Sequence, residues 1–210
     1  MTWRAVTFYT TGTGYEREML RLKASCEASG VPLEVYPFPN MGTWRENLNF
    51  KTQTIIDAMA DFEGQDIVFI DADAVVRSYP TLFDKLSESG ASDIAVHLLA
   101  DRELLSGTVW LANTEMGLRI VTRWHEIGRA NPRQRHQVCL TLALRELGAT
   151  AEKPRVYRLP IEYTCIFDHP LRRGKTAVIE HYQASRKYRR RMDMAVRPQP
   201  MSGPLQAVAR

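Results

Sequence analysis

Cysteine is scarce in this chain of 210 residues: Cys26, Cys139 and Cys165 are odd in number, far apart and set in apolar or helical surroundings. That argues against a disulfide framework or a zinc site and leaves three buried thiols as the expectation. Long apolar runs are missing too. No stretch approaches the roughly 18 uncharged residues of a membrane-crossing helix, so no membrane partner is expected. The opening "MTWRAVTFYTTG" has neither the basic start nor the small-residue cleavage site of a secretory leader, and a cytoplasmic location is expected. There is no internal repeat, and only "RPQPMSGP", from Arg197 onward, has the composition of a disordered segment. No protein partner is inferred.

What is present is a chain with 44% hydrophobic residues, enough for one good core and too short for two comfortable domains with a linker. One domain over 1–192 is expected, followed by a flexible tail over 193–210. The net charge of +4 hides an asymmetry. From Arg172 to Arg210 ten Lys and Arg face only Glu180 and Asp193, a net of 10 − 2 = +8, so the remainder carries 4 − 8 = −4. A basic C-terminal segment suits a polyanion or a phosphate ligand, and equally a solvated tail.

Hydrophobic periodicity alternates between strand and helix. "AVTFYTT" (Ala5 to Thr11) reads as a strand and Tyr15 to Ser29 as a helix stopped at Gly30-Val31-Pro32. "LEVYPF" (Leu33 to Phe38) is a second strand, and Arg45 to Phe62 a second helix. Further on, Pro80 to Ser87 fits a short helix, Asp93 to Leu99 and Gly107 to Asn113 are strands, and Thr114 to Gly128 is a helix capped by Thr114. Arg133 to Leu147 is another helix, and "RVYRLP" and "AVIEHY" are short late strands. The alternation predicts an α/β fold.

Between these lies "DIVFIDADAVV" (Asp66 to Val76), four apolar residues followed by Asp71 and Asp73. In an open α/β sheet, ligands bind beyond the carboxyl ends of the strands, so a strand ending here delivers both carboxylates to the binding crevice. Two carboxylates so close repel each other, and a hard divalent cation removes that repulsion. The competing reading is a solvated turn, because Asp-x-Asp triplets are common.

With this motif the chain resembles the GT-A glycosyltransferases, which use a nucleotide-diphosphate sugar and a divalent metal held by an Asp-x-Asp motif after an apolar strand. "VFIDADAVV" has that form. "YTTGTGYEREMLRLKASCEASGVPLEVYPF" is similar to the family's first strand, helix and second strand, and "NFKTQTIIDAM" to the helix bearing a donor-side Lys. "LLSGTVWLAN" is similar to the strand after the metal motif, and "VIEHYQASRKYR" to a late His segment. The likeness covers most of Ala5 to Arg191 and is nearest to small phage-type nucleotide-diphospho-sugar transferases. It implies a GT-A-like, Rossmann-like fold with a mixed, mostly parallel sheet flanked by helices. One departure stands out: where such sequences often carry Asp-Gln at the start of the late helix, this chain has His136-Gln137.

The resemblance implies that Asp73 contacts Mn²⁺ or Mg²⁺ directly and that Asp71 binds the metal through water or holds the ribose. His181 follows "AVIE" and is placed to be the third protein ligand, with Arg186 and Lys187 on the donor diphosphate. Thr11, Gly12 and Tyr15 are candidates for the nucleotide, Lys51 for donor phosphate or sugar hydroxyls, and Ser106 and Gly107 for leaving room for the sugar ring. Trp44 and Trp110 are either core or sugar platforms. Candidate acid–base or positioning residues are His136, Gln137, Glu162, Asp168 and His97, with none preferred.

The function expected is transfer of a sugar from a nucleotide-diphosphate donor, a UDP-sugar by preference, to a hydroxyl acceptor. Arg186 to Arg191, interleaved with tyrosine, suits a nucleic-acid backbone, and makes a hydroxylated DNA base (5-hydroxymethyl pyrimidine) the first acceptor expectation. A glycan or small metabolite is the alternative acceptor. The rival classes are a nucleotidyltransferase, which would release pyrophosphate, and a non-catalytic nucleic-acid-binding protein, which leaves "FIDADAVV" unexplained.

Overall fold

The computed structural model describes residues 2–99, 103–132 and 134–189. The tail expected over 193–210, and with it Arg190, Arg191 and the "RPQPMSGP" segment, lies outside the described residues. Elements follow in the order β1 (Trp3–Thr10), α1 (Tyr15–Ala28), β2 (Leu33–Phe38), α2 (Trp44–Leu48), α3 (Phe50–Asp61), β3 (Asp66–Ile70), β4 (Ala74–Val76) and α4 (Thr81–Ser89). The second half contributes β5 (Ile94–Leu99), β6 (Glu103–Leu111), α5 (Glu115–Ala130), α6 (His136–Gly148), β7 (Val156–Arg158), β8 (Cys165–Ile166) and β9 (Ile179–His181). Short 3₁₀ turns at Ile161–Tyr163 and Pro170–Arg172 flank β8.

The main sheet has the order β2-β1-β3-β6-β5-β7, and β6 alone runs against its neighbours. The α/β alternation predicted from the pattern is present, and the sheet is mixed and mostly parallel, as the resemblance implied. Its centre explains the apolar run before the two aspartates. Successive residues of a strand face opposite ways, and β3 is covered on both faces. Ile67 and Phe69 join Ile55, Ile120, Trp124 and Leu140 beneath α3, α5 and α6. Val68 and Ile70 join Trp3, Leu22, Phe83 and Trp110 on the side of α1 and α4. Each such side chain contributes about 1.5–3 kcal/mol on burial, so β3 is held firmly and its carboxyl end is a rigid place from which to project side chains.

A second, three-stranded sheet, β4-β9-β8, was not foreseen beyond its middle strand. β4 and β8 have three and two residues, too short for any periodicity to register. The helix expected over 45–62 is two. Thr43 and Glu46 form a reciprocal capping box that starts α2, and the Asn49 N–H bonds back only three residues to Glu46, tightening the turn before α3 begins. The helix expected from Arg133 begins at His136. Thr114 caps α5 as expected, its hydroxyl accepting from the Gly117 N–H. All three cysteines are free and buried, and burial pushes the Cys26 thiol up to about 12, which keeps it inert.

Candidate metal and donor site

The site grows from the end of β3. The Asp71 N–H continues the β3–β6 pairing by donating to Gly107 O at 2.8 Å, and the Ala74 N–H closes a tight turn on Asp71 O at 3.0 Å. The chain then enters β4, where Ala74 pairs with His181 of β9. This turn is the geometric answer to the Asp-x-Asp pattern: one carboxylate sits at the end of each strand it joins, and the second sheet brings the histidine alongside. Ligand atoms of Asp71, Asp73 and His181 all lie within 4.8 Å of one another.

Each is fixed from behind. Asp73 Oδ2 accepts the Ala184 N–H at 2.7 Å, and its carbonyl accepts the Tyr182 N–H at 3.1 Å. His181 Nε2 lies 2.8 Å from the buried Thr108 hydroxyl, leaving Nδ1 on the side of Asp73, 3.9 Å from its Oδ1. Lys51 Nζ contacts Asp71 Oδ1 at 2.7 Å and donates to Ser106 O at 3.0 Å. Gly107 leaves space for the cluster: a Cβ there would stand 2.9 Å from His181 Cε1 and 3.3 Å from Asp71 Oδ2.

The electrostatics divide the pair. Burial, opposed by Lys51, pushes the Asp71 carboxyl above the usual range. For Asp73 burial is again the largest influence, but His181, the Ala184 N–H and Lys51 together outweigh it and hold the carboxyl below that range. Two carboxylates and an imidazole form a mixed oxygen–nitrogen donor set that suits a manganese- or magnesium-like ion. Two ligands at about 2.1 Å from one ion stand near 4 Å apart or less, and the three groups already lie within 4.8 Å of one another. The residues therefore fit such a metal.

These groups line a cavity of about 590 Å³ at the carboxyl end of the sheet. Tyr15, Lys51, Ser106, Gly107, His136 and Gln137 line it as well. On the β1 side the Trp44 indole N–H donates to the Tyr15 hydroxyl at 3.0 Å, and the Arg189 guanidinium lies 5.3 Å from the Trp44 ring centre. Residues 185–189 are helical and dock on α1 through Tyr188, whose hydroxyl donates to Glu18 at 2.9 Å. Gly14 is what admits that ring: a Cβ at residue 14 would fall 2.3 Å from Tyr188 Cε1.

Other sequence candidates lie away from the cavity lining. Thr11 and Gly12 form an exposed turn in which the Gly12 N–H donates to Glu16. Arg186 pairs with Asp168, and Lys187 is exposed, its ammonium 5.1 Å from the Tyr188 ring centre. Glu162 is bound by Lys175 at 3.0 Å, and its own backbone N–H, then Lys175, hold its carboxyl below the usual range. Trp110 is fully buried in the core, while Trp44 lines the cavity. His97 bonds Leu159 O. Thr108 and Ala184 were missed, and Arg189, expected on a nucleic-acid backbone, lines the cavity. For Thr108 a signal existed: Ser106 and Thr108 are polar, two apart and on one face of an otherwise apolar strand.

His136 opens α6 with 7% of its surface exposed, and neither ring nitrogen has a partner among the described residues. Burial, then the positive charge of Lys51, then His125, push its imidazolium down to about 3. The folded protein thus keeps His136 neutral where the unfolded chain, titrating near 6.5, takes up a proton. Stability is lost as pH falls from 6.5 toward 3, by about 2 kcal/mol between pH 7 and pH 5 from this group alone. His136→Gln is expected to remove that loss, so the melting temperatures of wild type and variant should diverge by about 4–8 °C over this interval. Parallel pH profiles would contradict the assignment.

No protein-family model and no curated protein matches the chain. Solved structures do. A glycosyltransferase involved in the glycosylation of the major capsid of PBCV-1 superposes with a TM-score of 0.66 at 16% identity, covering 91% of this chain and 98% of that one. The glycosyltransferase GlyE of Streptococcus pneumoniae TIGR4 gives a TM-score of 0.57 at 16% identity, covering 87% of this chain and 55% of GlyE. The site described above is therefore carried on a fold that this chain shares with glycosyltransferases.

Proposed function

We propose that the chain is a metal-dependent glycosyltransferase that takes its sugar from a nucleotide-diphosphate donor, a UDP-sugar by preference, and passes it to a hydroxyl group. The observation that carries this reading is the convergence of Asp71, Asp73 and His181 on the floor of a cavity at the sheet's carboxyl end, in a fold shared with glycosyltransferases. When bound there, Mn²⁺ or Mg²⁺ supplies positive charge to a diphosphate leaving group. Tyr15 and Trp44 offer aromatic surface for the nucleoside on the β1 side, and Arg189 adds a cation at the rim. On the β6 and α6 side, Ser106, Gln137 and His136 face the sugar. A neutral imidazole carries one donor and one acceptor, the complement of a sugar hydroxyl, and satisfying its buried nitrogens is worth about 1–3 kcal/mol each. A front-face reaction needs no protein base, consistent with Glu162 and Asp168 being engaged elsewhere.

The acceptor reading narrows less. Of the Arg189-Arg190-Arg191 cluster that suggested DNA, Arg189 faces the donor cavity, which removes one argument for a phosphate track. A glycan hydroxyl is as compatible with the cavity as a hydroxymethylated base. Among the described residues no helix is long and apolar enough to cross a membrane.

Incubation of the protein with a panel of nucleotide sugars and Mn²⁺ tests the donor chemistry. Release of nucleoside diphosphate is the expected result. Release of pyrophosphate would assign a nucleotidyltransferase instead, and turnover undiminished by chelator would remove the metal. Adding hydroxymethylated DNA or an oligosaccharide to the same reaction identifies the acceptor class by which one accelerates release.

A further inference from the structure

Lys51 is an unusual lysine. It is the second residue of α3, its side chain is only 4% exposed, and its ammonium touches Asp71 Oδ1, Ser106 O and, at 5.0 Å from the ring centre, the face of Phe69. A charge so enclosed is weakly screened by salt or water, so its field acts on the whole cluster. We infer that Lys51 is a tethered counter-cation that opposes metal binding in the absence of donor and thereby makes the metal and the donor diphosphate bind as a unit.

The charges make the case. Asp71 and Asp73 contribute −2 and Lys51 +1, leaving the site at −1. A divalent ion alone takes it to +1, against a fixed ammonium already paired with one of the ion's own ligands. Adding the diphosphate of a nucleotide sugar, −2, returns it to −1, and gives both cations an anion to share. Coupling between the two ligands is reciprocal: whatever factor the diphosphate adds to metal affinity, the metal adds to diphosphate affinity. Lys51 thus has a second role beside any hydrogen bond to donor: it keeps the site from filling with metal when no donor is present.

The inference rests on the metal-dependent reading, and the test separates the two. Titration calorimetry with Mn²⁺ alone, with UDP alone and with both is run on wild type and on Lys51→Met. In wild type, UDP is expected to tighten Mn²⁺ binding at least tenfold. In K51M, Mn²⁺ alone is expected to bind at least tenfold more tightly than to wild type, while UDP binding weakens and the coupling shrinks. Equal or weaker Mn²⁺ affinity in K51M, with circular dichroism showing an intact fold, overturns the inference. If K51M does not fold, the wild-type coupling still decides, since Mn²⁺ binding indifferent to UDP overturns it too. Wild type that binds neither Mn²⁺ nor UDP defeats the metal-dependent reading itself, a different outcome from either of these.

Discussion

Asp73→Asn is expected to weaken Mn²⁺-dependent UDP binding by roughly 100-fold or more, because even residues that merely support a metal ligand are worth about 10–100-fold. The side chain keeps its size and an oxygen to accept the Ala184 N–H, so the fold should survive. Its loss is electrostatic. The ionised carboxylate, held below the usual range in the folded state, contributes stability that is present above the unfolded pKa and lost as pH falls through the folded one. Asparagine forfeits that modest contribution at neutral pH. The informative contrast is therefore between a small drop in melting temperature and a large drop in ligand affinity. An unchanged UDP affinity in Mn²⁺ would remove Asp73 from the site.

The second large effect comes from a single methyl group. Gly107→Ala places a Cβ 2.9 Å from His181 Cε1, 3.1 Å from His181 Nδ1 and 3.3 Å from Asp71 Oδ2. His181 is pinned by Thr108 behind it and by β-pairing along β9, and Asp71 by Lys51. Neither ligand has an easy retreat. Overpacking of this kind costs about 1–3 kcal/mol, and the displaced ligands should cost at least tenfold in Mn²⁺-dependent UDP affinity. From sequence, Gly107 looked like room for a sugar ring. If that were its whole role, the alanine variant would retain metal-dependent UDP binding and lose only turnover with the intact nucleotide sugar. Calorimetry with UDP and Mn²⁺ distinguishes the two.

Gly107 shows where sequence reasoning ran out. The strand-end carboxylates and His181 were legible because each follows an apolar strand, and strand ends of an α/β sheet are where ligands bind. The two-sided burial of Ile67 to Ile70 was legible for the same reason. What a linear pattern does not carry is which strand lies beside which. The crossing of β3 with β6 makes Gly107, Thr108 and Ser106 neighbours of Asp71, and the small second sheet brings His181 to Asp73. The basic segment is a second case. Residues 185–189 are helical, so Ala184 and Tyr188, four apart, turn inward while Arg186 and Lys187 turn out. The expectation of those two cations on a donor diphosphate came from their spacing after His181, which does not show the helical turn between them. Lys51 was read as a helix lysine reaching for donor phosphate or sugar hydroxyls, and the packing of α3 on the sheet that buries its ammonium against Asp71 Oδ1 is not visible in a linear pattern.

Thermal unfolding with UDP tests the central claim most directly. At about 100 times its dissociation constant, a ligand that binds only the folded state adds about 2.7 kcal/mol, or about 5–10 °C for a chain of this size. That rise is expected with UDP and Mn²⁺ together, and should vanish on adding chelator or in Asp73→Asn. The same rise with chelator present, or none with any nucleoside diphosphate and Mn²⁺, would contradict a metal-dependent nucleotide-sugar site at Asp71, Asp73 and His181.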